Sequence, residues 1–98
     1  MKHPLILHPD ARREIGSAAL WYEDRAPGLG SDFLRSLDAV FAQVQRNPQQ
    51  FPVVHGSIRR ALLRRFPYAV FFVDTDTAIR VIACSHMSQN PERWKRRG

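Results

Sequence analysis

The chain has 98 residues, 44% of them apolar, one cysteine and a formal net charge of +6. That length is enough for one domain with one core, and the apolar share separates it from disordered chains. A lone cysteine excludes an internal disulfide and a multi-cysteine zinc site and fits a reducing cytoplasm, and no stretch approaches the roughly 20 apolar residues that span a bilayer.

The charge is unevenly placed. From residue 56 onward Arg59, Arg60, Arg64, Arg65, Arg80, Arg93, Lys95, Arg96 and Arg97 face only Asp74, Asp76 and Glu92, whereas the first 55 residues are balanced. A sequence pI near 10.7 points to nucleic acid, an acidic protein or the ribosome as partner.

In chain order, Leu5-Ile6-Leu7 reads as a short strand starting at Lys2 or His3, with Pro4 tolerated at a strand start or edge. This apolar run is too short for a signal peptide, so none is expected. In His8-Pro9-Asp10, His8 falls at the N-cap of a helix, Pro9 at its first position and Asp10 in its first turn. The helix runs to about Arg25. Ala11, Ile15, Ala18 and Tyr22 form its apolar stripe, Leu20 and Trp21 widen it, and Arg12, Arg13, Glu23 and Asp24 face water. The small residues 16–19 would admit a close second helix.

Pro27-Gly28-Leu29-Gly30 breaks this helix. A second runs from about Ser31 to Arg46, with Phe33, Leu34, Leu37, Val40, Phe41 and Val44 on one side, and Asn47-Pro48 ends it. Two helices joined this tightly form an antiparallel hairpin whose apolar face needs a sheet.

Residues 49–57 read as a connector anchored by Phe51-Pro52. Three antiparallel strands follow: Ile58–Arg65, Tyr68–Asp74 and Ala78–Ser85, the last two joined by a turn at Asp74-Thr75-Asp76-Thr77. The Tyr68–Asp74 strand is apolar on both faces, so it is central, with the helices as one cover and a partner or the C-terminal tail as the other. In the first strand of the three, arginines alternate with apolar residues, and neither face is clean. Asn90-Pro91 opens a short helix over 92–97, with Trp94 packing back and Lys95, Arg96 and Arg97 free. The expected fold is thus α+β: an N-terminal strand, a two-helix antiparallel hairpin, then a three-stranded antiparallel sheet.

Several residues could carry function. Arg59, Arg60, Arg64 and Arg65 can clamp carboxylates or phosphates, and Arg80 joins them if it faces the same side. Trp94 could stack on a base or a partner. His86 is the one candidate for acid–base chemistry, although a histidine that fixes the chain's exit from the sheet explains it more simply. Cys84, mid-strand, reads as a buried structural thiol. His3, His8 and His55 lack ligand spacing, so neither metal nor cofactor is expected.

Trp21-Tyr22-Glu23, Pro27-Gly28-Leu29-Gly30 and Phe33 resemble the WYE…PGLG…F signature of the RelE/ParE toxin superfamily. Asn47-Pro48, Phe51-Pro52, Arg59-Arg60-Ala61-Leu62, Arg65-Phe66-Pro67-Tyr68, and His86 followed by Asn90-Pro91 and Trp94 resemble its ParE-like branch. The resemblance implies the toxin of a type II toxin–antitoxin module, neutralised by a cognate antitoxin whose acidic segment covers the basic sheet. ParE-like members are associated with poisoning DNA gyrase, and RelE-like members cut mRNA on the ribosome. Ala69 stands where a RelE-like catalytic arginine is expected, and no tyrosine follows Tyr68. These departures favour binding over catalysis. Met87-Ser88-Gln89 stands where many ParE-like sequences carry an arginine, which leaves open an inactive member that only binds antitoxin; an endoribonuclease using His86 and the arginines is the other alternative.

Overall fold

The computed structural model describes residues 3–98. Strand β1 (Leu5–Leu7) leads into helices α1 (Pro9–Arg25) and α2 (Leu29–Arg46). A 3-10 turn at Pro48–Gln50 follows, then β2 (Val53–His55), β3 (Ile58–Leu62), β4 (Tyr68–Asp74), β5 (Ile79–His86) and the short helix α3 (Glu92–Lys95). The sheet order is β1-β5-β4-β3-β2, with β1 parallel to β5 and every other pair antiparallel. The architecture is therefore α+β, and the N-terminal strand is seated on the last one, β5. An expected strand start at Lys2 lies outside the described residues.

The helix boundaries follow local chemistry. His8 caps α1: its Nδ1 accepts the Asp10 backbone N–H at 3.0 Å. Ala11, Ile15 and Ala18 are buried from α1, and Phe33, Leu37, Val40 and Val44 from α2. Two expectations fail here. Leu20 and Trp21 do not widen the stripe but stand 69% and 50% exposed, and Leu34 is also exposed. Arg25 lies over the outer Trp21 ring, 4.1 Å from its centroid.

The inter-helix turn explains its own sequence. Gly28 has φ 87°, a left-handed conformation that costs glycine little. Glu23, expected to face only water, accepts the Gly28 N–H (3.0 Å) and the Gly30 N–H (3.0 Å), so its carboxylate satisfies amides at the start of α2 and complements the helix dipole. The helices approach closely at Gly30: a Cβ there would lie 2.6 Å from the Ala19 carbonyl oxygen. Of the small residues expected to permit the approach, Ala19 is the contact, whereas a Cβ on Gly16 would meet open space.

The sheet departs from expectation at its edges. The connector 49–57 contains β2, a short edge strand paired irregularly with β3. The strand expected to reach Arg65 stops at Leu62, because Arg65 adopts φ 71° and turns the chain. Ser36 Oγ donates to the Arg64 carbonyl (2.9 Å) and ties that turn to α2.

Apolar clusters lie on both faces of the sheet. Val70, Phe72, Val81 and Cys84 meet the helices, and Ile58, Ala69, Phe71, Val73, Ile82 and Ala83 line the opposite face under Trp94. A bulge opposite Phe71/Phe72 puts the consecutive residues Ile82 and Ala83 on the same face. Downstream of it, Cys84 packs with the helix-side cluster and the His86 ring meets Tyr68.

Gly30→Ala is expected to lower unfolding free energy by about 1–3 kcal/mol through overpacking against the α1 backbone. Gly16→Ala, on the open face of the same helix pair, is expected to raise it by up to about 1 kcal/mol. Urea unfolding of both variants checks this, and equal effects would remove the close approach as a constraint.

Candidate functional site

The C-terminal tail and the free end of β5 organise the surface around the expected site. β1 pairs only with Ile79–Val81, although β5 runs on to His86. Beyond Val81, side chains take the place of a neighbouring strand. Glu14 Oε1 accepts the Cys84 N–H at 3.0 Å, and Arg97 Nη1 donates to the Ile82 carbonyl at 3.0 Å. The same Arg97 nitrogen lies 3.0 Å from Glu14 Oε1, and both side chains are nearly buried, at 15% and 14% exposure. Arg97 Nε also lies 3.6 Å from Asp10. Farther along, the His86 N–H donates to Gln89 Oε1 at 3.1 Å. Arg97 is therefore not free, as its place in the basic tail suggested, but a structural cation. Lys95 lies 3.3 Å from Glu92.

A cleft of about 790 Å³ lies beside this edge, between α1 and the end of β5, with Arg13, Tyr22, Tyr68, His86 and Arg93 among its walls. His86 Nδ1 accepts the Ser88 N–H (3.0 Å) and lies 2.8 Å from Ser88 Oγ, and its ring meets Tyr68 edge-on at 5.2 Å. Arg13 is bonded to Asp10. Burial raises the Tyr22 and Tyr68 hydroxyl pKa values, so both remain protonated donors at neutral pH. No ion pair among the described residues joins His86 to a carboxylate, and its ring is committed to Ser88 on one nitrogen.

The expected binding arginines do not share one surface. Arg59 lies opposite Phe72, and its Nη1 donates to the Phe51 carbonyl at 2.6 Å at the margin of the helix-side core. Arg60, opposite Phe71, takes the other face. Arg64 and Arg65 are exposed in the turn beside α2, where Arg65 lies 3.9 Å from Asp32. Arg80 is exposed opposite Val73, at the far end of the face that carries Arg60. Trp94 is 7% exposed and stacks on Phe71 with centroids 4.0 Å apart, so the tail is the second cover of the sheet. Sequence reasoning missed Glu14, whose role depends on where β1 ends; its only sequence signal was an acid on the margin of the α1 apolar stripe.

Toxin ParE2 of Mycobacterium tuberculosis, in each of two strains, is 32% identical to this chain over 93 residues, covering 93% of this chain and 88% of the relative. The chain belongs to the ParE branch of the RelE/ParE toxin superfamily. The solved structure described as the chromosomal ParDE TA system from P. aeruginosa shares the fold, with a TM-score of 0.65 at 16% identity over 87% of this chain and 96% of that one. No family model matches the chain. In this ParE-branch protein no helix among the described residues is long and apolar enough to cross a membrane.

Cys84 is held as a thiol. Burial, and then the negative charge of Glu14, push its pKa up to about 12. A thiol-specific chromogenic reagent at pH 8 is expected to react with it only after unfolding. Because the folded state keeps this proton while the unfolded thiol loses it, stability is retained below the ordinary thiol pKa and falls as pH rises from about 9 toward 12. Rapid labelling of the native protein would contradict the burial. Glu14→Ala, which strands Arg97 and the Cys84 N–H, is expected to cost about 2 kcal/mol or more. Glu14→Gln keeps an acceptor and should cost less. Urea midpoints of the two variants check the order.

Proposed function

We propose that this chain is the toxin of a type II toxin–antitoxin module, that it acts by binding, and that its target is DNA gyrase. The observation that carries this reading is the relationship to toxin ParE2 over 93% of the chain. Charge supports it: the surplus cations all follow residue 56 and suit an acidic antitoxin segment. In the cell the pair would meet in the cytoplasm.

The local chemistry favours binding over RNA cleavage. Transphosphorylation through a 2′-hydroxyl needs a base, an acid and cations around one phosphate. Around His86, Arg13 is bonded to Asp10, Arg97 lies against Glu14, and Arg93 Nη2 lies 3.9 Å from Glu14 Oε2, so each cation lining the cleft already sits beside a carboxylate. The backbone and hydroxyl of Ser88 hold the His86 ring in the turn that leaves β5. These contacts suit a residue that shapes the exit from the sheet.

Pulse-labelling after induced expression tests the reading. DNA synthesis is expected to fall before protein synthesis, and the reverse order would make the chain a translation inhibitor. His86→Ala is expected to leave growth arrest largely intact, whereas an enzyme using His86 as its base would lose about 10²–10⁴-fold in activity. If neither synthesis falls while the protein accumulates folded, the chain only binds antitoxin.

A further inference from the structure

Four aromatic rings line the cleft between α1 and the end of β5: Trp21, Tyr22, Tyr68 and His86. Their centroids follow one another at 5.1, 6.0 and 5.2 Å, so they form one continuous wall drawn from α1, β4 and β5. Trp21 is 50% exposed and stands outside the core, so packing of the fold does not explain it.

The polar atoms of this wall are unused. Among the described residues no hydrogen bond engages the Tyr22 hydroxyl, the Tyr68 hydroxyl or His86 Nε2, and none of the three is shut off from solvent. His86 Nδ1 accepts the Ser88 N–H, so Nε2 carries the proton of the neutral ring and donates. Both hydroxyls are protonated donors at neutral pH. The charges differ: Arg13 is bonded to Asp10, and Arg93 and Arg97 lie beside Glu14. The cleft thus pairs an aromatic wall and neutral donors with cations that are already compensated.

We propose that this cleft binds an uncharged planar ring bearing carbonyl oxygens, the chemistry of a nucleobase with its sugar. The wall meets the ring, and the three donors meet its carbonyl oxygens. The volume of about 790 Å³ suits a ligand of this size. An added peptide strand fits less well, because it needs free backbone groups on the β5 edge. There the Cys84 N–H, the His86 N–H and the Ile82 carbonyl are taken by Glu14, Gln89 and Arg97. A phosphate group fits less well too, since it would face Asp10 and Glu14 beside every cation of the cleft. The site does not depend on the toxin–antitoxin reading. Its ligand is either a free nucleoside or an unpaired base of a strand.

Thymidine is the probe, titrated into the full chain and followed by N–H NMR. Saturable shifts are expected at the Trp21 indole N–H and at the amides of Cys84, His86 and Ser88, with the β2 amides unmoved. Tyr68→Phe keeps the ring and removes one donor; it is expected to weaken binding by about three- to tenfold. Trp21→Ala, at a position outside the core, is expected to weaken it by about tenfold. Adenosine has a ring and sugar but no carbonyl, and is expected to bind at least about fivefold more weakly. A thymidine oligonucleotide separates the sources: tighter binding per base identifies a strand as the ligand, and equal binding the free nucleoside. If thymidine gives no saturable shift at these groups, or if both variants bind it like the parent, the site is wrong. If adenosine binds as well as thymidine, the assigned ligand class is wrong.

Discussion

The fold depends on a central strand that is apolar on both sides. Along β4, Val70 and Phe72 point to the helices and Ala69, Phe71 and Val73 point away, and all five are buried. Hydrophobic burial is non-directional, so both faces must be removed from water. The helix hairpin covers one with a broad, regular stripe. The other receives only a short tail, in which one indole ring stacks on Phe71. The two covers are therefore unequal. The smaller one leaves a crevice beside Arg60 and a half-exposed Leu62 on that face.

Electrostatics in this protein divides into cations that hold the chain together and cations that remain available. Arg97 closes a three-way contact with the α1 carboxylate of Glu14 and the backbone of β5. It fixes the tail and, with Glu14 and Gln89, occupies hydrogen-bonding groups on the end of β5 that β1 does not reach. Natural sheets commonly protect such edges against unwanted pairing. The opposite edge, β2, is short, with Pro52 just before it and Gly56 just after. Arg60, Arg64 and Arg80 are without such structural duties, and they sit in three different places. The basic half of the sequence is thus a set of separate contact points.

The helix turn shows how a short motif can be legible in sequence and still acquire its meaning only in three dimensions. Trp21-Tyr22-Glu23 and Pro27-Gly28-Leu29-Gly30 mark a family resemblance in the linear chain. In the fold, Tyr22 stacks with Phe33 and meets Phe66 edge-on, the Glu23 carboxylate gathers the amides of Gly28 and Gly30, and Gly30 lets the helices touch. Trp21 takes no part in the core. The motif is mostly a device for setting the hairpin that covers the sheet.

By itself the sequence determined both helices, the turn between them, the central place of β4 and the hairpin from β4 to β5. These are local: periodicity, caps, glycines and prolines specify them within a few residues. Tertiary structure decided the rest. The parallel seat of β1 on β5, the added strand β2, the early end of β3 at a left-handed Arg65, and the burial of Arg97 all depend on segments distant in the chain. The β5 bulge is the clearest case. It reverses which residues face the helices, so Cys84 joins the helix-side core and His86 the cleft. Alternation along a strand predicts sides only until one residue is added, and the pairing register, not the sequence pattern, places that residue.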